Sequence, residues 1–463
     1  MCGIIGISNH KEAAKLAFLG LYALQHRGEE AAGIASYDGE DVHIKKEVGL
    51  VADAFDEKTL EALKGKTAIG HCRYSTTGSS HGKNIQPLLV THRNKPLAVA
   101  HNGNLTNAEQ LYKKLEDDGA IFQTSMDSEI IVHFLARMRS GNRNEWFINV
   151  LSELEGAFSL IFLVEDVVVG ARDPNGFRPL CLGKIEGQYV LASESCALDL
   201  INAEFVREVE PGEIVFIKGD KLESVFLPTA KKTERAQCVF ENVYFARPDS
   251  NIFGDNVYEV RKRLGAQLAI ESPAQADFVM AIPDSGTYAA TGYAQQIGIP
   301  LEIGIIRNHY IGRTFIQPAQ FLRDFRVRVK LNPIKNVLKG KRIIVVEDSI
   351  VRGTTSRSRV EELRKAGAKE IHMRISCPPI KHPCFYGIDF PDTNELIASN
   401  RTVDEIAKFI KVDSLKFLSL EGMLSVMKQD HQFCDACFTG KYPVTVPETK
   451  SKYVLEKAKF KVY

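Results

Sequence analysis

The pattern of apolar and polar positions changes character part-way along the chain. Up to about residue 230 the apolar segments are short, and several alternate with polar positions as half-buried antiparallel strands do. Residues 160–170, 189–192 and 213–217 read as strands, separated by the turn sequences Asp173-Pro174-Asn175-Gly176 and Glu210-Pro211-Gly212. Helices are expected over residues 12–24, where apolar residues recur at helical spacing and Gly28 follows, and after Asn107, a candidate cap. This half reads as α+β, a sheet with helices packed on it.

From about residue 255 the rhythm becomes helix 257–269, strand 278–282, helix 288–296, strands 301–306 and 342–346, helix 356–366 and strand 370–375. Strands that are apolar throughout and alternate with helices imply an α/β fold, its parallel sheet covered on both faces. The polar stretch 227–236 separates the halves, so domains of residues 2–230 and 231–463 are expected. Residues 307–330 form a long basic connection of the kind that serves as a lid or binding loop. Beyond Pro447, five lysines and two glutamates read as a solvated helix or extension.

Composition narrows the function classes. With 463 residues, two or three domains are expected at roughly 150 residues each. The 59 Lys+Arg against 58 Asp+Glu lack the basic excess of a nucleic-acid binder, and 44% hydrophobic content excludes a disordered chain. The best apolar stretch, 159–171, is short and carries Glu165 and Asp166, so no span of a membrane is expected. The N-terminus lacks a basic region and a cleavage site, which argues against secretion and for the cytoplasm. Nine dispersed cysteines are an odd count and not a disulfide framework; reduced thiols, a metal site or a nucleophile remain open.

One cysteine follows the initiator methionine: Met1-Cys2-Gly3-Ile4-Ile5-Gly6. Removal of Met1 would leave Cys2 with a free α-amine, whose peptide pKa of about 7.7–8.0 suits a base. One residue would then supply thiol nucleophile and base together. Downstream stand His26-Arg27-Gly28, Ala31-Ala32-Gly33-Ile34, Gly70-His71-Cys72-Arg73-Tyr74, Ala100-His101-Asn102-Gly103-Asn104-Leu105 and Ser125-Met126-Asp127-Ser128-Glu129. In order and spacing this series resembles the glutaminase domain of the N-terminal-nucleophile amidotransferases, an αββα hydrolase fold. The resemblance implies that Arg73 binds the glutamine carboxylate, a task suited to a planar guanidinium. It implies that Asp127 holds the substrate α-amine, and that Asn102 with the Gly103 amide forms an oxyanion hole. The competing structural readings are a surface ion pair for Arg73, a helix cap for Asp127 and a hairpin turn for Asn102-Gly103.

In the second half, the strand 342–346 runs into Glu347-Asp348-Ser349-Ile350-Val351-Arg352-Gly353-Thr354-Thr355. Carboxylates at a strand's carboxyl end can accept bonds from ribose hydroxyls, and a Gly-Thr-Thr helix start can cradle a phosphate. A capping threonine after an ordinary strand is the alternative. The stretch resembles the phosphoribosyl-diphosphate (PRPP) signature of the type I phosphoribosyltransferases. Asp284, Ser285, Gly286 and Thr287, after Ile282-Pro283, look like that family's pyrophosphate loop; Arg307, Tyr310 and Arg313 fall in the segment resembling its lid. The resemblance implies PRPP contacts from these loops and Ser349, and Mg²⁺ held by Ser285, Glu347 and Asp348. A P-loop NTPase is excluded, because Gly65-Lys66-Thr67 has Leu60 where the first glycine must stand.

Cys434-Asp435-Ala436-Cys437 is the only C-x-x-C. On spacing alone it suits a redox pair, half a zinc site or cluster ligands. The succession of blocks from Cys2 to Cys437 resembles the amidophosphoribosyltransferases of iron–sulfur type. In that subset Cys238, Cys384, Cys434 and Cys437 would match the ligands of a [4Fe–4S] cluster; four unrelated buried thiols are the other reading.

The expected reaction is hydrolysis of glutamine and transfer of its ammonia, through an internal channel, to C1 of PRPP. Purine nucleotides are expected as feedback inhibitors and a homodimer or homotetramer as the assembly. Arg307-Asn308-His309-Tyr310 departs from the family's usual Lys-Asn-Arg-Tyr, and Glu347-Asp348 from its usual Asp-Asp. Iron–sulfur members often carry a short propeptide; here loss of Met1 alone would expose Cys2. Hexosamine-forming or asparagine-forming synthases share the glutaminase half, but the Glu347-Asp348 signature fits neither. A PRPP-sensing regulator without turnover is the alternative from a different class.

Overall fold

The computed structural model describes residues 1–74, 82–308, 331–390, 392–428, 433–447 and 455–456. The first half stacks two antiparallel sheets. One has seven strands in the edge-to-edge order Glu204–Glu208, Cys181–Ile185, Gln188–Ala192, Gly3–Ile7, Thr67–Arg73, Ala31–Tyr37 and Val42–Val48. The other has six: Lys221–Phe226, Glu213–Lys218, Val167–Arg172, Gly156–Val164, Lys95–Leu105 and Leu88–His92. Ile4, Ile69, Ala98, Ile161, Val168, Leu191 and Val215 fill the space between them. Gly6 lies so close to the facing sheet that a Cβ there would stand 2.9 Å from Ile161.

Each sheet's outer face is covered by helices: Ala13–Ala23 and Ser195–Leu200 on the first, Ala108–Asp117, Ser128–Arg137 and Arg143–Leu151 on the second. The layers are therefore αββα. Gly156–Val164 is covered on both faces, which is why its sequence, Ser159 apart, is apolar rather than alternating. The expected run 160–170 is a hairpin instead, turning at Glu165 and Asp166. Asn107 stands at the N-cap of Ala108–Asp117, yet its side chain bonds Glu153 and Glu155 and caps nothing.

In the second half a four-stranded parallel sheet runs Phe278–Ala281, Arg342–Glu347, Glu370–Ile375, Ser414–Phe417. Helices Val257–Glu271, Thr287–Ile297 and Thr354–Lys365 pack with it in one core. The expected strand 301–306 is not a fifth full member. Leu301 makes a single parallel bridge to Val279, and Ile305–Arg307 turns away to pair antiparallel with Leu331–Pro333. Leu301, Ile303 and Ile306 are exposed, so the burial that enforces a central strand is missing.

Candidate active sites

Cys2 leads into strand Gly3–Ile7 at the middle of the seven-stranded sheet and is buried. Its backbone N–H donates to Asn102 Oδ1 at 3.0 Å, and its thiol to the Tyr74 carbonyl at 3.5 Å. Burial pushes the thiol pKa up, while the terminal amine, Tyr74 and Arg73 act against that. The Met1 amine is lowered to about 4, by burial first and by Arg27 and Arg178 next.

Asn102 and Gly103 lie inside strand Lys95–Leu105, opposite Ser159 and Phe158, and are not a hairpin turn. With Oδ1 engaged by Cys2, Asn102 Nδ2 is a buried donor without a partner among the described residues. An orphaned donor of that kind costs on the order of 1–3 kcal/mol, so its presence beside a thiol calls for a chemical reason. A Cβ on Gly103 would meet the Ala157 carbonyl at 2.0 Å, which makes glycine obligatory there.

Arg73 is buried at the end of strand Thr67–Arg73, within electrostatic reach of Cys2. Gly28 passes so close that a Cβ would lie 2.5 Å from the Arg73 backbone. Asp127 precedes helix Ser128–Arg137 but does not cap it: its carboxylate accepts from Leu105 N at 3.1 Å and bonds His101 Nδ1 at 3.2 Å. Burial opposes ionisation of Asp127, yet the His101 contact outweighs it and holds the carboxyl below its usual value. The fold thus gathers Cys2, Arg73, Asn102, Gly103 and Asp127 at one end of the two sheets. Sequence reasoning gave no role to Arg27, although it had singled out His26-Arg27-Gly28; Arg27 Nε donates to the Cys2 carbonyl at 2.9 Å.

The second constellation lies at the carboxyl ends of two adjacent parallel strands. Asp284 to Gly286 follow strand Phe278–Ala281, across the cis peptide Pro283-Asp284, and Thr287 opens a helix. Gly286 nestles against the neighbouring strand, where a Cβ would stand 2.4 Å from the Val346 carbonyl. Ser285 donates to Asp348, which also accepts from Ser349. Glu347 gives its two oxygens to Ser356, at 3.0 Å, and to Arg359. Burial, with the Asp348 charge beside it, raises Glu347 to about 7 against the pull of Arg359. Gly353 has φ +73 and is followed by helix Thr354–Lys365, leaving Thr354 and Thr355 exposed at its start. Arg307 pairs with Asp284, whereas Tyr310 and Arg313 lie outside the described residues.

Four of the five cysteines of the second half, Cys238, Cys384, Cys434 and Cys437, converge. Gln237–Cys238 pairs in parallel with Phe433–Cys434, Cys238 opposite Cys434. Lys381 N and His382 N donate to the Cys437 carbonyl at 2.9 and 3.0 Å, and Tyr386 N to Cys384 Sγ at 3.4 Å. All four thiols are 7–9% exposed, whereas Cys72, Cys181, Cys196 and Cys377 are 0–3%. Among the described residues no three His, Cys, Asp or Glu close tightly enough for a single metal ion.

Residues 71–200 match the family described as glutamine amidotransferase domain, and residues 254–384 the phosphoribosyl transferase domain. An amidophosphoribosyltransferase from Synechocystis sp. is 52% identical over 98% of this chain and 94% of its own. One from Archaeoglobus fulgidus is 48% identical over 96% of this chain and 99% of its own. The chain belongs to the amidophosphoribosyltransferase family. A solved structure, the Bacillus subtilis glutamine PRPP amidotransferase complexed with ADP and GMP, superposes with a TM-score of 0.92. It is 47% identical, covering 97% of this chain and 99% of that one. The two-domain order of the amidophosphoribosyltransferases, glutaminase fold then phosphoribosyltransferase fold, is thus the order of this chain. No helix among the described residues is long and apolar enough to cross a membrane.

Proposed function

We propose that this chain makes 5-phosphoribosylamine from glutamine and PRPP, releasing glutamate and pyrophosphate, with the residue roles that follow. The buried, unpartnered Asn102 Nδ2 beside Cys2 carries the reading. Cys2 attacks the glutamine amide; its amine, free once Met1 is gone, takes the thiol proton and returns it to the departing ammonia, and water then cleaves the glutamyl thioester to glutamate and the free thiol. Asn102 Nδ2 and the Gly103 amide stabilise the oxyanion, Arg73 grips the substrate carboxylate and Asp127 the substrate amine. In the second half, Asp284, Ser285, Gly286 and Thr287 receive the diphosphate, and Ser349, Gly353, Thr354 and Thr355 the 5-phosphate. Asp348, with Glu347 beside it, meets the ribose. Mg²⁺, held by Ser285, Glu347 and Asp348, would neutralise the leaving pyrophosphate. Arg307, paired with Asp284, brings positive charge to the diphosphate loop.

The four convergent thiols fit a [4Fe–4S] cluster. The parallel bridge that sets Cys238 opposite Cys434, with Cys437 one turn on, brings thiols from distant parts of the chain together, as the four thiolate ligands of such a cluster require. Burial holds Cys238, Cys434 and Cys437 as thiols here, and bound iron would deprotonate them. The nucleotides bound to the Bacillus subtilis structure support purine nucleotides as regulators, and a homo-oligomer in the cytoplasm completes the reading.

Cys2→Ala tests the central assignment: glutamine-dependent phosphoribosylamine formation is lost while the ammonia-dependent reaction persists. Survival of both would refute the nucleophile. Absence of both from the wild type would favour a PRPP-sensing regulator. Anaerobically purified protein is expected to be brown, with iron and sulfide in equal amounts; a colourless, iron-free, fully active preparation would exclude the cluster.

A further inference from the structure

Four charged side chains meet at the junction of the halves with no solvent exposure: Arg27, Arg178 and Glu194 from the first, Glu241 from the second. Burying such charges is costly unless each is paired and aimed. Glu241 binds Arg27 in bidentate fashion, from Nη1 at 3.0 Å and Nη2 at 2.8 Å. Glu194 engages Nη1 alone, end-on, and also holds His26 and Ser250. A bidentate pair fixes both the position and the plane of a guanidinium, and an end-on contact leaves the plane free to turn. The plane decides where Nε points, and Nε holds the Cys2 carbonyl at 2.9 Å. That carbonyl belongs to the Cys2–Gly3 peptide and survives removal of Met1.

Glu241 itself cannot drift. It begins the π-helix Glu241–Phe245, whose Phe245 ring lies edge-on to Tyr74, the residue whose carbonyl takes the Cys2 thiol. Arg178 reaches Glu241 at 3.4 Å and donates to the Tyr386 carbonyl. Next along, Gly387 backs onto Gly103, where a Cβ would stand 3.2 Å from the Gly103 carbonyl carbon, and Asn104 donates to the Phe385 carbonyl at 2.9 Å.

We propose that Glu241, supplied by the phosphoribosyltransferase half, is a positioning residue for glutamine hydrolysis, acting through Arg27 to fix the backbone of Cys2. The glutaminase nucleophile is thereby assembled only against the other half. The inference rests on Cys2 being the nucleophile.

Glu241→Gln in the full-length enzyme tests it, because Gln keeps the shape but offers one acceptor oxygen instead of two. Misplacing a nucleophile by a fraction of an ångström is expected to lower glutaminase kcat about ten- to hundredfold. The KM for glutamine should hold within about twofold, because Arg73 and Asp127 are untouched. Inactivation of Cys2 by a diazoketone analogue of glutamine should slow in parallel, with ammonia-dependent transfer retained. Glu241→Asp, which keeps the charge but not the reach, should show the same kcat loss. The double variant Arg27→Gln/Glu241→Gln removes the pair together and leaves Glu194 with His26 and Arg178 with the Tyr386 carbonyl, so it should be less destabilised than the sum of the two single variants without regaining glutaminase kcat. Unchanged kcat in Glu241→Gln overturns the inference. So does an equal fall in both activities, and so does full rescue by Asp. Cys2→Ala that still hydrolyses glutamine would instead sink the nucleophile assignment beneath it.

Discussion

At the scale of single residues, the glutaminase site is defined by a donor with nothing to donate to. Asn102 spends Oδ1 on Cys2 and leaves Nδ2 buried and unpaired, an arrangement that makes sense if a negative oxygen forms beside it during turnover. Asn102→Ala is therefore expected to lower glutamine-dependent kcat by about 10²–10³-fold with little change in the glutamine KM, measured by coupled glutamate release. An equal rise in KM would mean that the donor binds ground-state substrate. Motif order was enough to bring Cys2, Arg73, Asn102 and Asp127 to notice. It gave no role to Arg27, Glu194 or Glu241: buried ion pairs between residues 167 and 214 positions apart leave no periodicity and no local spacing.

At the scale of elements, legibility tracked burial. Strands covered on both faces, such as Phe278–Ala281 and the Ile343-Ile344-Val345-Val346 run of Arg342–Glu347, are apolar where they are buried and announced themselves. Ser414–Phe417 is a short outer strand with one residue buried, and its sequence carries no such run. The loop proposed to hold the 5-phosphate shows why a helix start must be so spelled. Gly353 sits at φ +73, where a side chain is strained, and a Cβ would meet Ile397 Cδ1 at 2.6 Å. Gly353→Ala is expected to cost about 1–3 kcal/mol of stability from left-handed strain and overpacking together. It should also raise the PRPP KM with glutaminase activity unaffected, as thermal unfolding and initial rates would read. A variant with wild-type PRPP KM would detach this loop from the substrate.

At the scale of the whole molecule, the buried titratable groups set how the fold responds to acid. His71 is wholly buried and lowered to about 3, by burial first and Arg73 next, so it folds neutral. The unfolded chain binds its proton at about 6.5, and stability is lost as pH falls below that value. Asp173 works the other way: burial raises it to about 6, so as pH falls through 6 the folded state takes the proton and gains. Between pH 6 and 4 the two opposite slopes cancel, and Glu347, raised by burial to about 7, gains as pH falls from there toward its unfolded value. Glu194 acts at the acid end. Burial opposes its charge, yet His26 and Arg27 hold its carboxyl far below the usual range. Its stabilisation is complete above the unfolded carboxyl pKa of about 4.3 and vanishes as pH falls below it. On the alkaline side His101, raised by Asp127 against the effect of its own burial, contributes only while protonated and loses that contribution as pH rises through its folded pKa. The thermal midpoint should therefore stay nearly level from neutrality to about pH 4.5 and fall steeply below it. Glu194→Gln should abolish the steep limb selectively, at a cost of about 3–5 kcal/mol at pH 7 because Arg27 loses one of its two carboxylates. A steep limb that persists in Glu194→Gln would assign acid unfolding to groups away from the junction, and with it deny that the junction is the acid-labile part of the molecule.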